Sequence, residues 1–254
     1  MKVTNSAAFV MADNPNMMTL TGTNTWILRH PDSPTSVVVD PGPLIEQHLD
    51  SVLEVAGKVE LTLVTHHHED HTEAVERFRE LTNAPTRALA PEHTYDAEVL
   101  RDGEIINAAG LQLKIVATPG HTADSMCVVV FEDQAILTGD TVLGKGTSII
   151  AYPDGNLGSY LDSLQTLRDI VARENIELLL PAHGPVIDEP AAVLDYYISH
   201  RWERLDQVKA ALDAGATNAA EVVERVYVDV DRSLWPAAER SVKAQLEYLG
   251  VATD

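Results

Sequence analysis

Leu61-Thr-Leu-Val-Thr-His-His-His-Glu-Asp-His71 is the stretch that decides how this chain folds. An apolar run ends at Thr65, and four histidines and two carboxylates follow within six residues. The run, Leu61–Thr65, has the length and residue types of a buried strand. His66 and His68 are two apart, so in an extended loop both face one point. Asp70 and His71 then open a helix expected over Thr72–Leu81. One short segment can therefore ligate two neighbouring cations, and imidazole with carboxylate suits Zn, Fe or Mn. His67 and Glu69 alternate with the ligand-type residues and are expected to point away from them.

Three later segments repeat the design. Ile115-Val-Ala-Thr-Pro-Gly ends in His121, Ala135-Ile-Leu-Thr-Gly ends in Asp140, and Leu178-Leu-Leu-Pro-Ala ends in His183. Each is an apolar strand that stops at Gly or Pro and offers one donor side chain. In α/β sheets, sites gather at the carboxyl ends of strands. Further strands are expected at Asn24–His30, Thr35–Val39, Thr86–Ala90, Gln112–Ala117, Met126–Phe131, Ala135–Thr138 and Glu177–Leu180. A helix over Tyr160–Ala172, capped by Ser159, carries Leu161, Leu164, Leu167 and Val171 on one face. The class is α/β.

Composition narrows the partners. Of 254 residues, 18 are Lys or Arg and 39 are Asp or Glu, a net charge of −21. Binding along duplex nucleic acid needs Lys and Arg to neutralise phosphates, so a duplex partner is not expected. Apolar residues make up 45%, enough for a substantial core. No uncharged apolar stretch reaches the roughly 18 residues of a membrane span. The N-terminus has a single Lys and no apolar block of about 7–15 residues, so no signal peptide is expected. Cys127 is alone, which excludes an internal disulfide or a cysteine zinc cage and fits a reducing, cytoplasmic setting. It sits in Met126-Cys-Val-Val-Val-Phe131, where a buried strand residue is expected.

The texture changes near Tyr196. Three helices are expected beyond it: Ala191 to Asp213, one opening at Asn218 with Glu221 in capping-box spacing, and Ser233 to Leu249 with Gly250 as its stop. Residues 198–254 hold 7 basic and 10 acidic side chains, so most of the negative charge lies in the body. The division is a catalytic domain over 1–197 and a small helical domain over 198–254.

Together these motifs resemble the metallo-β-lactamase-fold hydrolases. Thr65-His-x-His-x-Asp-His71, Pro119-Gly-His-Thr122, Gly139-Asp140 and His183-Gly184 stand in the family's order, and Asp40 in Val37-Val-Val-Asp-Pro-Gly42 supplies the remaining motif. The resemblance implies an αββα sandwich with a two-metal site at one edge. It assigns His66, His68 and His121 to one metal and Asp70, His71 and His183 to the other, with Asp140 bridging. The metals are expected to be zinc, with iron and manganese compatible. Asp40 is expected to fix a histidine of the first metal by hydrogen bonding. A hydroxide bridging the metals would be the nucleophile, oriented by Asp70 as the catalytic carboxylate. The family's β-lactamases carry Cys at the bridging position, so Asp140 argues against β-lactam hydrolysis as the native task.

A narrower resemblance, carried by Thr21-Gly-Thr-Asn-Thr-Trp26, Gly139-Asp-Thr-Val-Leu-Gly144, His183-Gly-Pro-Val-Ile187 and Ile198-Ser-His-Arg201, points to the β-lactamase-like endoribonuclease branch. That branch carries a C-terminal winged-helix-like domain. With four residues after Gly250, a β-wing is expected to be truncated or absent. The implied substrate is a phosphodiester such as single-stranded RNA or another small anionic molecule. A thioester like that of hydroxyacylglutathione hydrolase, weak β-lactamase activity and iron-dependent oxidation are the alternatives. Candidate substrate contacts are Asn24, Thr122, Lys145, His200 and Arg201. The oligomeric state is left open.

Overall fold

The computed structural model of the protein describes residues 1–252. Strands β1 (Ala7–Met11), β2 (Asn24–Leu28) and β3 (Ser36–Val39) lead into helix α1 (Glu46–Ala56) and strand β4 (Val59–Leu63). The short α2 (Glu69–Thr72), then α3 (Val75–Thr82), precede β5 (Thr86–Arg87). Strands β6 (Ile105–Ala108), β7 (Leu111–Ala117), β8 (Met126–Val130) and β9 (Ala135–Gly139) follow, then α4 (Leu157–Glu174) and β10 (Leu178–Pro181). The chain ends in α5 (Pro190–Asp213), α6 (Ala219–Val226) and α7 (Trp235–Tyr248).

The strands form two five-stranded sheets, ordered β1-β2-β3-β4-β5 and β10-β9-β8-β7-β6. Both are mixed: β3-β4, β4-β5 and β9-β10 pair in parallel, the rest antiparallel. Strands β3, β8 and β9 carry continuous apolar runs and are buried along their whole length, because both faces of the sheet are covered there. In β8, Met126, Val128 and Val130 face the other sheet, where they meet Trp26, Leu28, Val37 and Leu63. Cys127 and Val129 face the opposite way, against Leu164, Leu167 and Tyr197 of α4 and α5. The first sheet repeats the arrangement, with Val38 and Ile27 packed on Leu49, Val52 and Phe78 of α1 and α3. Four layers, helix-sheet-sheet-helix, result. Among the described residues no helix is long and apolar enough to cross a membrane.

Several expected bounds shift. The strand expected over Thr86–Ala90 is only two residues long, because Ala88 and Ala90 turn into the hydrogen bonds of Thr94. The helix after the histidines is broken into α2 and α3. Ser159 does not cap α4: the cap is Asn156, one turn earlier, whose side chain accepts from the Ser159 N–H. Strands β1 and β6 and helix α1 lie where the sequence had suggested nothing. β6 and β7 form a hairpin through Ala109-Gly110, both at positive φ, the geometry of a two-residue turn.

Helix α5 runs unbroken through the expected 197/198 boundary. Its first half, with Leu194 and Tyr197, belongs to the body's core. Its second half, with Val208 and Ala211, packs on Val222 and Val223 of α6 and Val242 and Leu246 of α7. Asn218 caps α6 as expected, while Glu221 reaches back to the N–H of Thr217. Helix α7 begins at Trp235, after a 3-10 turn over Arg232–Leu234 that Asp231 caps.

Candidate metal centre

Every donor residue singled out in the sequence comes to one edge of the sandwich. β4 ends two residues before Thr65, β9 ends one residue before Asp140, and β10 ends two before His183. His66, His68, His121 and Asp140 offer ligand atoms that all lie within 4.8 Å of one another, and Asp70, His71 and His183 form a second such group. Asp140 faces both: its Oδ2 is 3.6 Å from His121 Nε2, and its Oδ1 is 3.2 Å from His183 Nε2.

The ring nitrogens on the far side are tied down. His121 Nδ1 donates to the Ile149 carbonyl at 2.7 Å. His183 Nδ1 donates to the Gly22 carbonyl at 3.2 Å. His71 Nδ1 donates to Asp40 Oδ2 at 2.8 Å. Thr65 Oγ1 gives its proton to Asp40 at 2.7 Å, so it accepts from His66 Nδ1 at 3.0 Å. Each imidazole thereby turns its Nε2 inward, the nitrogen a metal ligand would offer once it has lost its proton. His68 differs, presenting Nδ1 at 3.0 Å from His66 Nε2 and 3.1 Å from His121 Nε2. Asp40 thus holds His71 directly and reaches His66 only through Thr65, where a direct hold on a histidine of the first group was expected. Asp40 itself has φ +54, a strained backbone for a residue other than Gly and one that recurs at functional sites.

The charges divide the two groups. Burial opposes ionisation of Asp140 and Asp70, but His183 and His71 outweigh it and hold both carboxyls well below the usual range. Burial also opposes a proton on His71 and His183. The carboxylates win there too, raising His183 to about 9. In the other group burial dominates, lowering His68 to about 4 and depressing His66 and His121. Among the described residues, buried His71 Nε2 and Asp140 Oδ1 have no hydrogen-bond partner of good geometry, only the opposite-type groups of the donor cluster itself. Orphaned buried polar atoms of this kind are expensive unless something else binds them. Seven converging imidazole and carboxylate donors fit divalent cations.

Close backbone approach builds the walls. A Cβ at Gly120 would lie 2.4 Å from the Tyr160 backbone, so only Gly brings His121 against α4. A Cβ at Gly144 would meet the Pro185 carbonyl at 2.1 Å, where the loops carrying Asp140 and His183 touch.

Above the donors lies an open cleft of about 540 Å³, lined by Met17, Met18, Leu20, Glu69, Leu143 and the Lys145–Ile149 segment. Lys145 is exposed on this wall. The other four expected substrate contacts are placed elsewhere. Asn24 is buried and donates to the Pro181 and Gly184 carbonyls at 3.1 Å, steadying the His183 loop. Thr122 is buried, with its Oγ1 2.7 Å from Ser125 Oγ inside the turn after His121. Arg201 is buried behind the cleft wall, donating to the Ser148 carbonyl. His200 does not line the cleft and lies beside Tyr196, ring centroids 5.9 Å apart. His67 points away as expected, to Asp124 at 2.8 Å, whereas Glu69 lines the cleft because α2 turns it outward. Thr65 and Thr23 were not anticipated. Thr23 Oγ1 is 3.0 Å from Asp70 Oδ2, and the only sequence sign of either is its place beside a motif residue.

A four-layer sandwich with histidines and aspartates converging at its edge is an arrangement that could hold metal ions. The chain belongs to the metallo-beta-lactamase superfamily, whose pattern it matches over residues 18–183, and residues 219–250 match the beta-lactamase associated winged helix domain. It is 30% identical over 261 residues to a beta-lactamase-like protein 2 homolog of Caenorhabditis elegans, covering 98% of this chain and 85% of that one. An atrochrysone carboxyl ACP thioesterase of Aspergillus chevalieri is 31% identical over 242 residues, covering 89% of this chain and 74% of its own. In fold, a metallo-beta-lactamase family protein from Thermus thermophilus superposes with a TM-score of 0.79 at 21% identity, covering 96% of this chain and 93% of that one.

Proposed function

We propose that this protein is a metal-dependent hydrolase with two divalent cations, and that its cleft takes an acyl thioester bearing an anionic group. The observation that carries the reading is the convergence of ring nitrogens and carboxylate oxygens in two groups that Asp140 joins. His66, His68 and His121 would hold one cation, Asp70, His71 and His183 the other. Nitrogen and oxygen donors of this kind suit zinc first, and iron and manganese share them. Cations there supply an activated water and neutralise charge developing on the substrate oxygen. Asp70, held ionised by His71 and His183, is the acceptor that orients the attacking water. Thr23 fixes that carboxylate from behind.

The cleft's lining supports the substrate class. Met17, Met18, Leu20, Leu143 and Ile149 offer an apolar wall for an acyl group. Lys145 is the one Lys or Arg among the lining residues, enough for a single carboxylate or phosphate. Single-stranded RNA binds along a track of cations and stacking aromatics, and the cleft lining has neither. The thioesterase name of the Aspergillus chevalieri relative points the same way. The RNA reading keeps one support, the winged-helix match over residues 219–250. The deciding experiment is metal analysis of purified protein, followed by turnover of acyl thioesters, single-stranded RNA and a β-lactam. Thioester turnover orders of magnitude above RNA cleavage is expected. The reverse ranking would transfer the assignment to RNA, and protein that takes up no metal would end the hydrolase reading.

A further inference from the structure

Arg201 is a buried cation that pairs with no carboxylate among the described residues. Only 6% of it is exposed, and none of the Lys and Arg ion pairs among the described residues includes it. Its Nε has no hydrogen-bond partner among the described residues. Burying a guanidinium in this state is costly, and a position that carries such a cost has something else depending on it. Two contacts hold the group. Its Nη2 donates to the Ser148 carbonyl, and its carbon lies 5.0 Å from the centre of the Tyr160 ring.

Both contacts lead to the metal edge. Ser148 Oγ donates to the carbonyl of Asp140. The carbonyl of the next residue, Ile149, accepts from His121 Nδ1 at 2.7 Å. Tyr160, under the guanidinium, donates to the Thr141 carbonyl at 2.6 Å. The chain of contacts from α5 therefore ends on two residues of one donor group, His121 and Asp140, which stand 3.6 Å apart. We infer that Arg201 is a positioning residue for that group: it fixes Ser148 and Ile149 so that one sets the backbone of Asp140 and the other sets the ring plane and tautomer of His121. The inference rests on the proposed metal site. It also gives α5, the helix shared between the body and the C-terminal helices, a direct hold on the site.

The test uses Co2+ as the probe on the full chain, read by its visible absorption and by competition with a chelator. Arg201→Met should weaken Co2+ binding by about 10–100-fold, the range for lost support of a ligand, and shift the absorption bands. Arg201→Lys keeps the charge but not the planar fork, so a smaller shift in the same direction is expected. Val208→Ala, in the core of the C-terminal helices, should lower Tm and leave the spectrum and affinity as they were. Wild-type spectra and affinities in both Arg201 variants, or the same change in Val208→Ala, overturn the positioning role alone. Should Arg201→Met not fold, the Lys variant and the Val208 control decide. An unsubstituted chain that binds no Co2+ overturns the metal site itself and the positioning role with it.

Discussion

Asp40 Oδ2 stands 2.8 Å from His71 Nδ1, and this one contact turns the buried, unpartnered Nε2 of His71 toward Asp70 and Asp140. The same oxygen takes the proton of Thr65 Oγ1, which in turn accepts from His66. One carboxylate therefore orients an imidazole in each donor group. Asp40→Asn should weaken metal binding about 10–100-fold while the four layers stay folded. Calorimetric titration with Zn2+, beside circular dichroism, reads both.

Asp140 joins the two groups, so its removal should affect both. Asp140→Ala is expected to lower hydrolysis by two or more orders of magnitude, since each lost ~1.4 kcal/mol of transition-state stabilisation is tenfold. Metal per chain should also fall. Full activity with unchanged metal content would remove Asp140 from the site.

Protons compete with metal at His71 and His183, because the carboxylates raise both in the bare protein, His183 to about 9. A raised site binds its proton below that value, so metal affinity should climb as pH rises toward it, by up to about tenfold per unit for each proton displaced. His183→Ala should flatten the climb. A pH series of chelator competition measures it.

His48 works in the opposite sense. Burial lowers it to about 4 from 6.5, so the folded state keeps it neutral while the unfolded chain takes a proton. Its contribution is fully present above about 6.5 and is lost as pH falls toward about 4, with a slope of up to about 1.4 kcal/mol per unit. His48→Gln keeps a partner for Thr25, 2.9 Å from the ring in the native protein. That variant should lose less stability across the window in urea melts.

Lys145 is exposed on the cleft wall. Lys145→Met should raise KM for an anionic thioester about tenfold, the worth of one charged hydrogen bond. kcat and Tm should stay near wild type. An unchanged KM would place the substrate's anion elsewhere.

What was legible followed from local chemistry. Leu61 to His71 announced a strand and its ligand loop because the donors are adjacent in the chain and follow a short run rich in Leu and Val. β1 was missed because Ala7–Met11 is short and lies at the sheet's edge, and α1 because the Pro and Gly before it read as loop. Asn24, Thr122 and Arg201 were read as substrate contacts since polar side chains near a motif look alike in a sequence. Their burial against partners from segments as far as 160 residues away is invisible there.

The sequence by itself determined the α/β class, the seven donors and their order along the strands, because periodicity and donor chemistry are properties of neighbouring residues. Tertiary structure decided which nitrogen each histidine presents. It also decided that Asp40 reaches both donor groups and that a helix from the C-terminal part holds the wall of the cleft. Each of those depends on where a distant carbonyl or carboxylate comes to rest, and only the packing of the four layers sets that.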